Sequence, residues 1–106
     1  MGSKKEGEGP LGKDFDIIDD DSRFGEKTWE KAESALQKKA LQNALEKGGL
    51  NAGDIDYILA GDLLNQCIGS SFSLNNTKIP HVGLYGACST MAESLMMAAM
   101  TVDGGY

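Results

Sequence analysis

The sequence predicts an α/β fold with parallel strands and a core left unclosed. Three observations lead there. A long amphipathic helix pattern precedes two short apolar runs, and each run passes through a glycine-containing turn into a further helix pattern. The order reads helix, strand, helix, strand, helix, which calls for parallel strands joined by right-handed crossovers. Residues 57–102 hold only three charges, Asp62, Lys78 and Glu93. A stretch that poor in charge belongs to an interior, and two strands make too small a sheet to build one.

The elements follow in order. Residues 1–27 are polar and glycine-rich, punctuated by Pro10, Gly12 and the acidic run Asp19–Asp20–Asp21. They read as an extended lead-in, packed weakly through Phe15, Ile17 and Ile18 or disordered at its start. The rest, residues 28–106, reads as one piece of a domain. Thr28 to Lys47 is a helix, with Trp29, Ala32, Leu36, Ala40 and Ala44 forming its apolar stripe. Gly48–Gly49 ends it in a left-handed cap, with Leu50 folding back as the hydrophobic contact. Tyr57–Ala60 is a strand, too apolar for an alternating half-exposed one. Asp62 caps a second helix that buries Leu64, Cys67, Ile68 and Phe72. A second strand covers His81–Tyr85. A third helix, Ser89 to Val102, is apolar nearly all round and therefore expected to be buried.

Composition narrows the function classes. The 106 residues carry a net charge of -6, against a nucleic-acid surface, which needs clustered Lys and Arg. Two Cys and one His do not supply an ordinary structural zinc site, and no metal or cofactor is expected. The apolar run Leu95–Val102 is too short to span a bilayer, and no secretory leader is visible at the start, so a soluble protein is expected. A chain of 11.3 kDa should expose about 5,700 Å² once folded.

Cys88 is the sharpest chemical feature. It lies where a strand hands over to a helix, at the sheet edge where open α/β folds bind ligands. Helix-end amides there favour a thiolate, which could accept an acyl group from a thioester; the competing reading is an inert cysteine. Thr90 with Glu93 forms a potential capping box. Asp62 and Asn65 occupy the corresponding handover of the other strand, with capping as the simpler role for Asp62. Cys67 reads as a core thiol. His81, the only histidine, is separated from Cys88 by the strand, so a Cys–His catalytic pair is not expected. Met91, Met96, Met97 and Met100 read as core filling.

Particular motifs then carry a resemblance. Leu59–Ala60–Gly61–Asp62–Leu63–Leu64–Asn65–Gln66, Ile79–Pro80, Leu84–Tyr85–Gly86–Ala87–Cys88–Ser89–Thr90 and Asp103–Gly104–Gly105 resemble the stage V sporulation protein AD family. Glu8–Gly9–Pro10–Leu11–Gly12, Phe15–Asp16 and Asp54–Ile55–Asp56 fit it too. That family resembles the thiolase and ketoacyl synthase superfamily, whose first half-domain presents a cysteine at the start of a buried helix; Cys88 matches it. The resemblance implies a partial thiolase-like fold, an incomplete half-domain and an N-terminal fragment of roughly a third of the protein. It implies a non-enzymatic role in binding dipicolinic acid and taking it, with calcium, into the forespore. Asp62, Asn65, Lys78, Ser89 and Thr90 are the ligand-binding candidates. Other stage V A sporulation proteins are the implied partners, with a homodimer in the intact protein and peripheral association with the forespore inner membrane through those partners. The alternative is an acyltransferase of the thiolase or ketoacyl synthase type using Cys88 as acyl acceptor.

Overall fold

A computed structural model describes residues 1–106. The elements are β1 (Gly2–Ser3), α1 (Lys4–Gly7), β2 (Ile18–Asp19), α2 (Trp29–Gly48), β3 (Ile58–Ala60), α3 (Ile68–Leu74), β4 (His81–Gly83) and α4 (Thr90–Asp103), with short 3-10 turns between them. β1 pairs with β2 and β3 with β4, both in parallel. The result is a small α/β fold of two short parallel sheets and several helices. In the second sheet Ile58, Leu59 and Ala60 stand opposite His81, Val82 and Gly83.

α2 forms where its periodicity placed it. The Thr28 hydroxyl accepts from the Lys31 N–H at 3.3 Å, capping the first turn. Gly49 closes the helix at φ 63°, donating to the Glu46 carbonyl, and the Leu50 N–H reaches back to Leu45 at 2.9 Å. This paired closure leaves Leu50 folded over the last turn, where a Cβ on Gly48 would meet its side chain. The buried stripe differs from the expected one. Ala32 is buried and Leu36, Leu41 and Leu45 half-buried, while Trp29, Ala40 and Ala44 face outward.

Within the first 27 residues the chain forms short elements of its own. The Gly2 N–H donates to the Ile17 carbonyl at 2.9 Å, starting the β1–β2 pair. Gly2 is buried against Phe15, and Gly7 lies against Ile18. This small unit is held along α2 by charge. Lys47 meets Asp16 at 2.7 Å and Lys39 meets Asp19 at 3.2 Å. Arg23 also stacks over Trp29, its guanidinium 4.7 Å from the ring centre.

One expectation of burial fails. The residues expected on the inner face of the second helix, Leu64, Ile68 and Phe72, are exposed, Phe72 by 74%. α3 instead turns Gly69, Ser70 and Leu74 inward. It also starts later than expected, because Asp62 is spent on the loop before it. α4 buries none of its residues within this chain, and Met91 is 75% exposed. The fold leaves 7324 Å² accessible, against the roughly 5,700 Å² expected of a compact chain of this mass. The apolar helix is there, but this chain does not cover it.

Candidate functional site

The carboxyl ends of β3 and β4 point the same way, so their two handovers to helix share one sheet edge. Gly61 makes the junction possible. A Cβ there would collide with the Leu84 carbonyl and with Thr90 Cγ2. Glycine is needed for this close approach of two chain segments, not for an unusual φ.

The first handover, Gly61 to Gln66, is gripped by side chains from distant parts of the chain. Asp62 is only 3% exposed. Its Oδ2 accepts from the Ser70 N–H at 2.9 Å and the Ser70 hydroxyl at 3.0 Å, and its Oδ1 from the Asn65 N–H at 3.0 Å. The Gln37 amide donates to the Gly61 carbonyl at 3.1 Å and to the Ser70 hydroxyl at 3.2 Å. Ser73 in turn donates to Gln37 Oε1 at 3.0 Å. The Glu33 carboxylate accepts from the N–H groups of Leu63 at 3.0 Å and Leu64 at 3.4 Å. The buried carboxylate thus has its donors supplied, which is the condition for burying one at all.

The second handover, Gly86 to Ser89, is tied only to its own helix. The Thr90 hydroxyl accepts from the Gly86 N–H at 3.1 Å and donates to the Ala87 carbonyl at 2.8 Å. Ser89 donates to Glu93 at 2.7 Å. The expected Thr90–Glu93 capping box is therefore replaced: Thr90 ties the turn and Ser89 engages Glu93, because Ala87–Ser89 forms a 3-10 turn that shifts the helix start. Ala87 adopts φ 50°, a left-handed conformation that costs an alanine about 1 kcal/mol or more. Cys88 is exposed, its thiol has no hydrogen-bond partner, and the N–H groups of Ala87 and Cys88 are unpaired within the chain. An acceptor, such as a carboxylate oxygen, could be held by these amides at the positive end of α4.

The remaining candidates fall as follows. Asn65 sits in the gripped loop and lines a groove of about 520 Å³ between α2 and α3, together with Lys31, Lys38, Ile68 and Phe72. Lys78 precedes β4, with φ 60°, and so lies at the opposite end of the strands from the two handovers. The structure does not bring it to the other candidates. His81 is half-buried, its Nε2 3.2 Å from the Ala60 carbonyl oxygen. Cys67 packs against Gly83, with its sulfur 3.5 Å from the Leu84 carbonyl. Sequence reasoning missed Glu33, Gln37 and Ser70. Glu33 and Gln37 interrupt the α2 apolar pattern one turn apart on the same face, a signal that could have been read. Ser70 had none.

Comparison with known proteins agrees with the motif reading. The family model described as Stage V sporulation protein AD matches residues 1–106. Stage V sporulation protein AD of Bacillus subtilis (strain 168) is 44% identical over 102 residues, covering 96% of this chain. The chain spans 30% of the length of that relative. A match along every residue, together with identity at this level, makes this chain a member of the stage V sporulation protein AD family.

Proposed function

We propose that this chain contributes to a non-enzymatic protein of sporulation that binds dipicolinic acid and serves its uptake into the forespore. Family membership supports the setting. The observation that carries the chemistry is the Cys88 turn, where an exposed residue stands beside two unpaired backbone N–H groups at the start of a fourteen-residue helix. Dipicolinic acid offers two carboxylates, and such donors suit them. Ser89 and Thr90 shape this turn; Asn65 faces the groove between α2 and α3, whose lining includes no residue of the turn, so the reading rests on the turn. Asp62 has its oxygens occupied by Ser70 and Asn65, so its part is to hold the loop.

The same reading covers the architecture. Residues 1–27 form a lead-in unit, and residues 28–106 are part of a thiolase-like half-domain whose other elements cover α4. In the intact protein we place a homodimer, with other stage V A proteins as the link to the forespore inner membrane. No helix of this chain is long and apolar enough to cross a membrane.

Thermal unfolding of the natural full-length protein with and without dipicolinic acid tests the reading. A saturating ligand should raise the midpoint, and an unmoved midpoint with no heat of binding in calorimetry would refute it. The exposed Cys88 thiol keeps acyl transfer as the second reading. Incubation with acyl thioesters should leave Cys88 unmodified, whereas an acyl adduct found there by mass spectrometry would favour the enzyme.

A further inference from the structure

α2 and α3 face each other across the groove of about 520 Å³, and each presents side chains there that this chain leaves unpartnered. On α3, Ile68 and Phe72 lie one turn apart, exposed by 57% and 74%. Apolar side chains left open together on a helix face mark an interaction surface. Glu33 fixes the backbone that leads the exposed Leu63 and Leu64 toward α3, and a fixed surface loses less entropy on association than a mobile one. On α2, Glu30, Ser34 and Lys38 recur at four-residue steps and all line the groove. Glu30 and Lys38 are exposed, and neither has a charged partner within the chain. Ser34, midway between them, is short and spends its hydroxyl on the Gly69 carbonyl at 3.1 Å. The groove floor is therefore low at that midpoint.

An acid and a base about 12 Å apart on one helix face, placed evenly about a small residue, complement the same face turned through half a circle. Glu30 of each copy then meets Lys38 of the other, and the space over Ser34 and Gly69 admits a Phe72 ring. α4 offers no such match: its charged residues, Glu93 and Asp103, are both acids and cannot pair with their own copies. We infer that the α2–α3 face is the surface through which two copies of this chain associate, with Phe72 as the central apolar contact and the Glu30–Lys38 pairs, made twice, setting the register. The inference rests on the homodimer reading above and names its surface; it draws nothing from the ligand.

Sedimentation of the natural full-length protein and its variants tests the surface. The unmodified protein should sediment as a dimer. Phe72→Glu should weaken that dimer about a hundredfold, and Glu30→Lys or Lys38→Glu each about tenfold. The double variant Glu30→Lys/Lys38→Glu should return to within about threefold of the unmodified protein, because it exchanges the charges and keeps the pairing. All three side chains are exposed, so every variant should keep its helical circular dichroism. An unmodified protein that stays monomeric would sink the homodimer reading and this surface together. A dimer that tolerates Phe72→Glu, or a double variant no stronger than the single ones, would overturn the surface alone. Shielding of Phe72 from hydroxyl-radical oxidation in the Glu30→Lys monomer would show that the protein's own further residues cover this face, and would overturn it too.

Discussion

The two handovers from strand to helix occupy one sheet edge yet are built in opposite ways. Gly61–Gln66 is fixed by Glu33 and Gln37, far away in the chain, and by Ser70 on the helix that follows, and its central carboxylate is buried. Gly86–Ser89 is fixed by Thr90, Ser89 and Glu93, within a single helical turn, and its cysteine is exposed. The first needs the tertiary fold to exist. The second organises itself locally and leaves its amides and thiol available. A rigid handover beside an open one is a reasonable division between holding a site and offering donors to a ligand.

The sharpest way to break this comparison is at the point where the handovers meet. Gly61→Ala places a methyl group against the Leu84 carbonyl, backbone that cannot step aside, and against the Thr90 side chain, and should cost about 3 kcal/mol in denaturant unfolding. A loss below half of that would mean that the two segments are not in close contact. Asp62→Ala should cost about 2–3 kcal/mol, since it strands the Ser70 N–H and hydroxyl without an acceptor. By contrast, Gly86→Ala meets the side chains of Glu93 and Ser89, which can move, and should cost about 1 kcal/mol. Equal losses for Asp62→Ala and Gly86→Ala would erase the distinction between a buried and a local handover.

The smallest effect lies away from both, where the lead-in rests on α2. The Lys47 ammonium holds the Asp16 carboxyl below its usual range, and the N–H groups of Arg23 and Gly25 do the same for Asp21. A depressed carboxylate pKa in the folded state contributes stability that is present above the unfolded value and lost as pH falls through the folded one. Acidification from neutral pH should therefore loosen residues 1–27 below the ordinary carboxylate range, seen as faster amide exchange at Gly2 and Gly25, before the handovers respond. Exchange independent of pH-driven opening at those positions, or loss of the handovers first, would contradict this order. These ion pairs are exposed, so the overall melting point should barely move.

Much of the local structure was legible. The α2 boundaries follow from Thr28 and Gly49, whose cap preferences act within one turn. The strand positions and their parallel pairing follow from two apolar runs separated by a helix. Cys88 was legible as the residue at a strand-to-helix turn. Burial was less so. Leu64, Ile68 and Phe72 have the spacing of a core stripe, but spacing does not say whether anything lies opposite. The same holds for α4, whose apolar surface implies a cover that this chain does not provide. In the lead-in, β1 and β2 are too short and too polar for periodicity to reveal them.

By itself the sequence determined where α2 begins and ends, that the two apolar runs become β3 and β4, that those strands lie parallel, and which family the motifs resemble. Those outcomes depend on backbone preferences and side-chain pattern over a few residues, or on motif identity. Only the tertiary structure decided that Asp62 turns inward to Ser70, that Gln37 joins them, that Glu33 holds the Leu63–Leu64 backbone, and that Lys78 stands at the far end of the strands. The hydrogen bonds from Glu33 and Gln37 span about thirty residues, and Asp62 must be buried before Ser70 becomes its partner. Neither is encoded in any local window, because which polar groups are denied water depends on how the elements pack.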